Sequence, residues 1–428
     1  MRILAAAIQG VEPGIAVRRH VQRQGNLIRI GNKMYDLGDY DRIILIGMGK
    51  AAPAMASAID DLLADRVTTG LIVTKEIPVG FSSRLPIMTA GHPIPDERSL
   101  DAGERIIQFL DQVKATDLVL CLISGGTSAL VASPYPGIDL ADIQELTTRL
   151  LACGARIDEI NTLRRQLDML KGGGLAHRLL PAQLVSLILS DVVGDPLEAI
   201  ASGPTVFDPT TSADAITILK KYHLVDHIPI SILTFLKSNH EKLLWVRSDF
   251  ENIQNIMVGN NLQAAQAAMA QAKLEGYNTY LLRTDLQGEA RDVAHELCNH
   301  LRWAYQRHDP QPPPTCILAG GETTVTIQGR GLGGRNLEVA LSAVTDLADF
   351  SNGLLVSLAT DGQDGNTDSA GAVVTGDSFK RGALLGLNPA SFLKENDSYT
   401  YFSALDDLLK PGSTGTNVND LAFLFTFK

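Results

Sequence analysis

The sequence predicts an α/β protein of two domains, each built on a mainly parallel, Rossmann-like sheet, and three observations support that class. Apolar runs of strand length alternate with stretches of helical periodicity, which is the rhythm of β-α-β units. Glycine-rich segments follow several of these runs, where the loops of a parallel sheet bind ligands. At 428 residues, the chain exceeds the length at which one hydrophobic core usually divides.

The predicted strands are short aliphatic and β-branched runs, each followed by a turn or an amphipathic stretch. In chain order they cover 42–47, 70–74, 117–123, 184–190, 255–259, 278–283, 315–319 and 354–360. The stretches between them predict helices, among them APAMASAIDDLLADR, DERSLDAGERIIQFLDQV, LADIQELTTRLLACG and NLQAAQAAMAQAKLEGY. A polar stretch at 238–253 separates two blocks of this pattern, so we expect domains of 1–245 and 246–428.

The composition argues against several classes of partner. A net charge of −11 and a pI near 5.3 disfavour nucleic acid and anionic membrane surfaces. The sequence holds no run of about 18 apolar residues, which a membrane-spanning helix requires. Its four cysteines are scattered without a C-x-x-C pair, which is typical of free thiols in a reducing compartment. We therefore expect a cytoplasmic protein.

The turn after the first predicted strand, IGMGKAA, has the G-x-G-x-x-A spacing of a dinucleotide-binding turn, with Lys50 inside it. A dehydrogenase would also need an acidic residue after the next strand, which Glu76 could supply. In a second interpretation the turn binds a phosphate or carboxylate that faces Lys50. In a third it is only a tight strand-to-helix turn, and the residues leave all three open.

Two further segments of the N-terminal half carry candidate anion ligands. LISGGTSALV places two glycines and three hydroxyls after an apolar strand, which suits a carboxylate or phosphate, although a capped turn is the alternative. EINTLRRQLDMLKGGGLA predicts a helix with one polar face and then three glycines, although a solvated face is the alternative. That face comprises Asn161, Arg164, Asp168 and Lys171. The predicted substrate- and phosphate-binding residues of this half are Ser124, Gly125, Gly126, Thr127, Ser128, Asn161, Arg164 and Lys171.

Carboxylates follow predicted strands at three places, in LSDVVGDP, AGGETT and ATDGQDGNTD. The first carboxylate in each of these segments belongs, in order, to Asp191, Glu322 and Asp361. A carboxylate at a strand end suits base chemistry or metal coordination, and a turn-capping role is the alternative. The third segment also holds Asp364 and Asp368, so it suggests Mg²⁺ bound with a nucleotide phosphate, unless it is an acidic loop without metal.

Four glycines fall within 329–334, directly before Arg335 and Asn336, where a helix is predicted to begin. An arginine there can neutralise a phosphoryl group through bidentate contacts. Packing alone is a poor explanation for so many glycines, so we predict that Gly333, Gly334 and Asn336 bind phosphate beside Arg335. The tail at 411–425 adds Asn417 and Asp420 as candidates, or ends in a buried strand. Cations, glycine turns and carboxylates in both halves point to phosphoryl transfer in a cleft between domains.

Eight stretches of the chain, in order, resemble the glycerate 2-kinases, a family whose C-terminal part is often called the MOFRL domain. They are GMGKAA, GHPIPDERS, LISGGTSALV, EINTLRRQLDMLKGGGLA, LSDVVGDPLEAIASGPT, AGGETTVTIQGRGLGGRNLEVAL, ATDGQDGNTDSAGAVV and TGTNVNDLAFLF. The resemblance implies two α/β domains flanking a deep cleft. It also implies an ATP-dependent kinase that phosphorylates the 2-hydroxyl of D-glycerate with Mg²⁺. The lysine and arginine on which the family relies correspond to Lys50 and Arg335.

On this resemblance, our hypothesis is that Lys50 and Arg335 neutralise the transferring phosphoryl group. The turn at 124–128 then holds the glycerate carboxylate or the adjacent phosphate. Among the carboxylates, Asp191 is named as a catalytic group, and Glu322 and Asp361 are named as metal ligands, although the sequence does not apportion these roles.

Two other functions stay open at this point. An NAD(P)H-dependent hydroxypyruvate reductase is the alternative enzyme, since members of the family have carried that label. A sensor that binds small acids without ATP turnover is the alternative outside the enzymes. The partners expected for the kinase are D-glycerate and a nucleotide. A homodimer is one possible assembly of the chain.

Overall fold

The computed structural model describes residues 1–78, 80–238 and 245–428, which form two compact units. The N-terminal unit comprises Pro13–Ser190 and Asp195–Val258, and the C-terminal unit comprises Met1–Glu12, Asp191–Gly194 and Gly259–Lys428. The polar stretch that marks the predicted boundary lies partly outside the described residues, at 239–244. The domain boundary near 245 therefore stays a prediction.

The helices cover the following residues in chain order: α1 (Arg2–Gly10), α2 (Pro13–His20), α3 (Ala52–Leu63), α4 (Glu97–Leu110), α5 (Thr127–Leu130), α6 (Leu140–Ala152), α7 (Ile157–Leu167), α8 (Gly174–Leu179), α9 (Ser212–Lys221), α10 (Ile230–Ser238), α11 (Asn261–Leu274), α12 (Ala290–Arg307), α13 (Arg335–Asp346), α14 (Ser378–Leu384), α15 (Pro389–Lys394) and α16 (Ser398–Leu405). The four quoted helical stretches correspond to α3, α4, α6 and α11. Within the described residues, no helix is both long and apolar enough to span a bilayer.

The strands of the N-terminal unit form two sheets. A small antiparallel sheet contains β1 (Val21–Gln24), β2 (Leu27–Ile30) and β3 (Lys33–Asp36). The main sheet contains β4 (Arg42–Met48), β5 (Val67–Thr74), β6 (Ile87–Thr89), β7 (Asp117–Ile123), β8 (Gln183–Leu189) and β9 (Gln254–Gly259). Its order is β6-β5-β4-β7-β8-β9, and the pairings from β6 to β8 are parallel. Strand β7 is buried at every residue, as expected for a parallel strand covered on both faces.

The sheet of the C-terminal unit is mixed. It contains β10 (Asn278–Leu286), β11 (Thr315–Gly321), β12 (Gly353–Ala359), β13 (Gly371–Thr375), β14 (Leu408–Leu409) and β15 (Asp420–Thr426), in the order β10-β11-β15-β12-β13-β14. Only β10 and β11 pair in parallel among these strands, because β15 inserts antiparallel to both β11 and β12. Strand β13 follows β12 without a crossover helix, so this pair is antiparallel as well.

The α/β architecture with two main sheets of six strands each is confirmed, beside one small antiparallel sheet, and each predicted strand segment is found in the described residues. The expectation of mainly parallel pairing holds for the main sheet of the N-terminal unit and differs in the C-terminal unit. Strand order is decided by contacts between distant segments, which the local alternation of strands and helices does not contain. The prediction also omitted β1 to β3, β6, β13 and β14. These strands are only two to five residues long, so they lack the long apolar run that identifies a buried strand.

Helix α7 packs with α6, α9 and α10 around an apolar core of the N-terminal unit. Ile160, Leu163 and Leu167 of α7 face this core, and their i, i+3, i+7 spacing is the apolar stripe of an amphipathic helix. The polar side chains of α7 consequently project from its other faces. This arrangement positions Asn161 and Arg164 next to each other on one side of the helix.

Candidate active site

Two turns lie side by side at the carboxyl ends of β4 and β7, because Met48 is in register with Ile123. The backbone N–H of Ser124 donates to the Met48 carbonyl at 3.0 Å, and the N–H of Lys50 donates to the Gly125 carbonyl at 3.0 Å. The N–H of Ala51 donates to Oγ of Ser124, also at 3.0 Å. The two turns are therefore one hydrogen-bonded structure at the sheet edge where ligands of parallel sheets bind.

The first turn uses its own backbone donors internally. The N–H of Gly49 donates to the Val73 carbonyl at 3.0 Å, and the N–H of Ala52 donates to the Gly49 carbonyl at 3.2 Å. Gly49 has φ of +120°, and a Cβ at this position would collide with Ser124. The glycine is thus required for the approach of the neighbouring turn. A dinucleotide site instead needs the glycine for approach of a pyrophosphate and needs free N–H groups, so this geometry disfavours that interpretation.

Two of the predicted hydroxyl ligands hold the second turn together. The single O–H of Thr127 is shared between the carbonyls of Met48, at 2.9 Å, and Ser124, at 2.7 Å. Thr127 and Ser124 are both almost fully buried. Ser128 is half-buried, and its Oγ lies 3.0 Å from Oγ of Ser202. Within the described ranges, the N–H groups of Gly125 and Gly126 have no acceptor. The hydroxyls of Ser124 and Thr127 are therefore used within the protein. The groups of this turn that can bind an anion are its backbone N–H donors and the hydroxyl of Ser128.

Cationic and imidazole side chains surround the second turn. Gly126 has φ of +88°, and a Cβ there would lie 3.0 Å from Cδ2 of His92 and 3.3 Å from Cε of Lys50. Lys50 is exposed, and Lys75, also exposed, directly follows β5. Burial, together with the charges of Lys50 and Lys75, lowers the pKa of His92 to about 4, so its ring is neutral at neutral pH. His92 belongs to the GHPIPDERS stretch but was not among the predicted site residues.

The segment after α7 departs from the predicted helix. Asp168 has extended dihedrals, with φ of −128° and ψ of 134°, so the expectation that residues 161, 164, 168 and 171 share one helix face is wrong. Asp168 is buried and accepts from Nζ of Lys171 at 2.6 Å and from the N–H of Leu170 at 2.9 Å. The ammonium of Lys171 is therefore held by an internal carboxylate, and its predicted contact with phosphate stays a prediction.

Arg164 differs from its neighbour Arg165. Arg165 forms an ion pair with Asp208, with Nε and Oδ1 3.1 Å apart and both side chains buried. Arg164 has no carboxylate partner among the described residues, and its Nη1 contacts Oδ1 of Asn161 at 3.4 Å. Burial lowers its pKa, because the cation has lost solvent without gaining a counter-charge. A half-buried cation with no carboxylate partner in the described part of the chain is a candidate for binding an anionic ligand.

Arg335, the first residue of α13, is paired with carboxylates in the C-terminal unit. Its Nε lies 2.5 Å from Oδ2 of Asp420, and its Nη1 contacts Glu322. Glu322 also accepts from Nδ2 of Asn419 at 2.9 Å. Burial opposes the charge of Arg335, but Asp420 and Glu322 outweigh it and raise the pKa of the guanidinium. Burial raises the pKa of Asp420 to about 7. The tail thus ends in a buried strand, β15, and Asp420 contacts Arg335. A role of Asn417 and Asp420 in the site stays a prediction.

The beginning of α13 is capped by Asp364, which is buried. Its carboxylate accepts from the N–H of Asn336 at 3.1 Å and from the N–H of Leu337 at 2.8 Å. Nδ2 of Asn336 also donates to Asp364, at 3.3 Å, and Oδ1 of Asn336 accepts from Ser357. An internal carboxylate thus fills the helix terminus where the sequence analysis expected a phosphate.

The glycines before Arg335 allow close packing. A Cβ at Gly334 would collide with Asp364, and a Cβ at Gly333 would collide with Oγ of Ser398. Gly329 and Gly331 lie against the backbone of the segment 395–397 in the same way. Packing thus accounts for these glycines, contrary to the expectation that it explains them poorly. A phosphate-binding role for Gly333, Gly334 and Asn336 stays a prediction.

The acidic loop after β12 does not gather its three carboxylates around one point. Asp364 caps α13, and Asp368 pairs with Lys410 at 3.0 Å. Oδ1 of Asp361 accepts from the N–H of Gln363 at 3.0 Å. Among residues 1–78, 80–238 and 245–428, no group of three or more His, Cys, Asp or Glu could hold a metal ion. Since Mg²⁺ commonly uses one or two carboxylates together with substrate phosphates, Asp361 fits that ion better than Glu322, which is paired with Arg335.

Asp191 follows β8 by two residues and is partly buried. The chain changes unit at this point, because Asp191–Gly194 belong to the C-terminal unit although β8 belongs to the N-terminal unit. The residue lies at a strand end, as the sequence analysis expected. Its assignment as a catalytic group stays a prediction.

Comparisons with known proteins match both parts of the chain. The model described as "Domain of unknown function (DUF4147)" matches residues 1–237, and the MOFRL family model matches residues 315–420. A glycerate 2-kinase of Pyrococcus horikoshii is 39% identical over 98% of this chain and 95% of its own length. A D-glycerate 2-kinase of Thermotoga maritima is 40% identical over 89% of this chain and 90% of its own. A putative hydroxypyruvate reductase of Agrobacterium vitis is 38% identical over 98% and 92%.

Solved structures agree with the sequence comparisons. The crystal structure of a glycerate kinase from Thermotoga maritima has a TM-score of 0.88 and 37% identity, and it covers 99% of this chain and 98% of its own. A protein of Pyrococcus horikoshii has a TM-score of 0.87 and 38% identity, with coverage of 100% and 97%. The fold is therefore shared along nearly the whole chain.

Proposed function

This chain belongs to the glycerate kinase family, and from that premise we propose that it transfers the γ-phosphoryl group of ATP to the 2-hydroxyl of D-glycerate. The products are 2-phospho-D-glycerate and ADP. The observation that carries the proposal is the pair of turns after β4 and β7. The first turn uses its N–H groups internally, whereas the second has cationic side chains beside it and two glycine N–H groups without an acceptor among the described residues.

The chemistry of the second turn suits phosphate or carboxylate oxygens. Lys50 supplies an ammonium group over Gly126, and the N–H groups of Gly125 and Gly126 supply neutral donors. Charge neutralisation and positioning provide most of the catalysis of phosphoryl transfer, so such a turn is suited to the reaction. We assign Lys50 to a phosphoryl oxygen and propose that Ser128 adds a hydroxyl contact.

The proposed step forms a bond between the 2-oxygen of glycerate and the γ-phosphorus. The bond from that phosphorus to the oxygen bridging to the β-phosphate breaks, and ADP leaves with the electron pair. The proton of the hydroxyl passes to a carboxylate, for which Asp191 is our candidate. Arg335 is proposed to offset phosphoryl charge, in which case a phosphoryl oxygen replaces one of its present carboxylate partners.

Mg²⁺ is the cofactor proposed with ATP, and Asp361 is its proposed protein ligand. When bound, the ion would screen the negative charge of the nucleotide phosphates. Arg164 and Asn161 are proposed as further contacts to the anionic substrate, since Arg164 has no carboxylate partner among the described residues.

The alternative is an NAD(P)H-dependent reductase of hydroxypyruvate, a name that some relatives carry. The internal hydrogen bonds of Gly49, Lys50, Ala51 and Ala52 weigh against it, because a pyrophosphate would need those donors. We further propose a cytoplasmic location and small-molecule partners without nucleic acid or membrane, and a homodimer as the assembly to test.

A paired assay on the purified chain tests the function. One arm contains D-glycerate, ATP and Mg²⁺, with 2- and 3-phosphoglycerate resolved as products, and L-glycerate serves as the stereochemical control. The other arm contains hydroxypyruvate with NADH or NADPH. The proposal expects 2-phosphoglycerate from D-glycerate alone. Oxidation of the nicotinamide without phosphoryl transfer would overturn it.

A further inference from the structure

His92 is an unexplained titratable group beside the turn that the proposed function assigns to a phosphoryl group. Its ring and the Lys50 side chain approach the same point above Gly126, since Nε2 of His92 and Cε of Lys50 are each 3.3 Å from a Cβ placed there. Neither ring nitrogen has a hydrogen-bond partner among the described residues. A half-buried imidazole without a partner, next to an ammonium group, is available to a ligand.

Burial and nearby charges explain why His92 is neutral at neutral pH. Burial lowers the pKa of the ring most, and the charges of Lys50, after β4, and Lys75, after β5, lower it further. The turn after β7 contributes no titratable group, because it consists of Ser124, glycines and hydroxyl residues. Asp96, at the start of α4, accepts from the N–H of Gly91 and pairs with Arg98. The carboxylate of Asp96 thus already has a cationic partner.

We propose that His92 contacts a phosphoryl group bound at this turn and that it does so in its protonated form, which makes the site selective for doubly charged phosphate oxygens over carboxylates. The proposal rests on the proposed function only in taking this turn as a phosphoryl site. A bound dianion offsets the two lysine charges and places negative charge beside the ring.

The direction of the effect follows from electrostatics. An opposite charge within about 4–6 Å favours the charged form of a group by about 1–3 pH units. A doubly charged ligand therefore shifts the protonation of His92 from acid pH toward neutral pH. A carboxylate carries half that charge and shifts it less. Binding of a phosphate-type anion is then coupled to uptake of a proton more strongly than binding of a carboxylate.

Sulfate is the best first probe, because it is a tetrahedral dianion with no proton equilibrium of its own near neutral pH. Isothermal titration calorimetry at pH 6.5, in buffers of different ionisation enthalpy, counts the protons taken up by the full-length chain. We expect uptake of a sizeable fraction of a proton with sulfate and almost none with acetate. His92→Gln should abolish the uptake and weaken sulfate binding by about tenfold, with acetate affinity changed less than about twofold.

His177→Gln is the matched control, because His177 is another half-buried histidine of the N-terminal unit and its ring stacks on Trp245. It should retain the proton uptake. Uptake that is unchanged in His92→Gln would overturn the proposal, as would wild-type protein that takes up no proton with sulfate. If His92→Gln fails to fold, His92→Asn and the imidazole NMR signals of the wild type, recorded with and without sulfate, make the same test.

Two more titrations identify the natural source of the phosphoryl group. His92-dependent uptake with 2-phosphoglycerate points to the phosphorylated acid, and the same result with ADP points to the nucleotide. Either result supports the proposal. A chain that shows this uptake but no kinase activity would contradict the proposed function and leave the role of His92 standing.

Discussion

Oγ of Ser124 accepts a hydrogen bond from the backbone N–H of Ala51 at 3.0 Å, and this contact joins the turn after β4 to the turn after β7. The hydroxyl is buried, so it occupies the place that a ligand oxygen takes in a dinucleotide-binding turn. The N–H of Ala51 is thereby unavailable to a ligand, and the side chain of Lys50 lies beside Gly126 of the second turn.

Ser124→Ala tests this link. The change leaves the N–H of Ala51 buried without an acceptor, which costs about 1–3 kcal/mol of the free energy of unfolding. We also expect kinase activity to fall, because the two turns are no longer joined. Denaturant unfolding and steady-state kinetics measure the two effects. Ser128→Ala serves as the control for stability, since its half-buried hydroxyl supports no backbone donor, and equal destabilisation of both variants would contradict the assignment.

Lys50→Ala removes an exposed ammonium group from the second turn. We expect kcat/KM for phosphoryl transfer to fall by about 10²–10³-fold, because charge stabilisation of the transferring group is lost. The free energy of unfolding should stay within about 0.5 kcal/mol of wild type, as for surface changes. Lys220→Ala, an exposed lysine at the end of α9, is the matched control. Turnover near the wild-type value would remove Lys50 from the catalytic groups.

A conservative substitution of Arg335 separates the effect of this residue on activity from its effect on stability. Arg335→Ala leaves Glu322 and Asp420 as neighbouring carboxylates without their cation, so we expect lower stability together with lower activity. Arg335→Lys keeps the charge and loses the planar fork, and it should retain most of the stability while activity falls at least tenfold. Arg381→Lys, whose arginine pairs with Asp407 at 3.0 Å in the same unit, is the control and should keep full activity.

The buried pair of Asp168 and Lys171 predicts a dependence of stability on pH. Burial favours the neutral carboxyl, but Lys171 outweighs it and lowers the pKa of Asp168 below its ordinary value. The pair therefore stabilises the fold at neutral pH, and this contribution is lost as the pH falls below about 4 toward the folded pKa.

Asp168→Asn should lower the free energy of unfolding at pH 7 by about 3–5 kcal/mol, since Lys171 remains charged and buried. The loss should shrink only below about pH 4, where Asp168 becomes protonated. Unfolding curves at pH 7 and at about pH 2 measure both values. Asp158→Asn, which breaks only a surface pair with Arg156, should cost less than about 1 kcal/mol at either pH. A pH-independent loss in Asp168→Asn would exclude the ion pair as its cause.

Much of the fold could be predicted because long apolar runs identify buried strands directly. Strands β4, β7 and β11 are buried along almost their whole length and stand out in the sequence. Strands β1, β2 and β3 are four residues each and half exposed, so they carry no such run. The central place of β15 depends on pairing with β11 and β12, which precede it by tens of residues.

The candidate site was predictable in its location and less so in its contacts. Glycines after strands located both turns. A sequence does not show, however, whether the space left by a missing side chain is filled by a ligand or by another part of the chain. Ser124 packs against Gly49, and Asp397, more than 60 residues further on, packs against Gly331. His92 could have been found, because its motif was recognised, but its place beside Gly126 depends on the sheet order.

The two ends of this chain meet in the C-terminal unit. Helix α1 packs on α11, where Gly10 lies against Ala267, and Oγ1 of Thr416 donates to the carbonyl of Val11 at 2.7 Å. During synthesis, α1 therefore leaves the ribosome long before the helix that covers it exists. The intervening N-terminal unit can fold meanwhile, but the second sheet stays open until β15 has emerged. The C-terminal unit, which includes α1, is therefore completed only after the whole N-terminal unit, which lies within it in the sequence, has been synthesised.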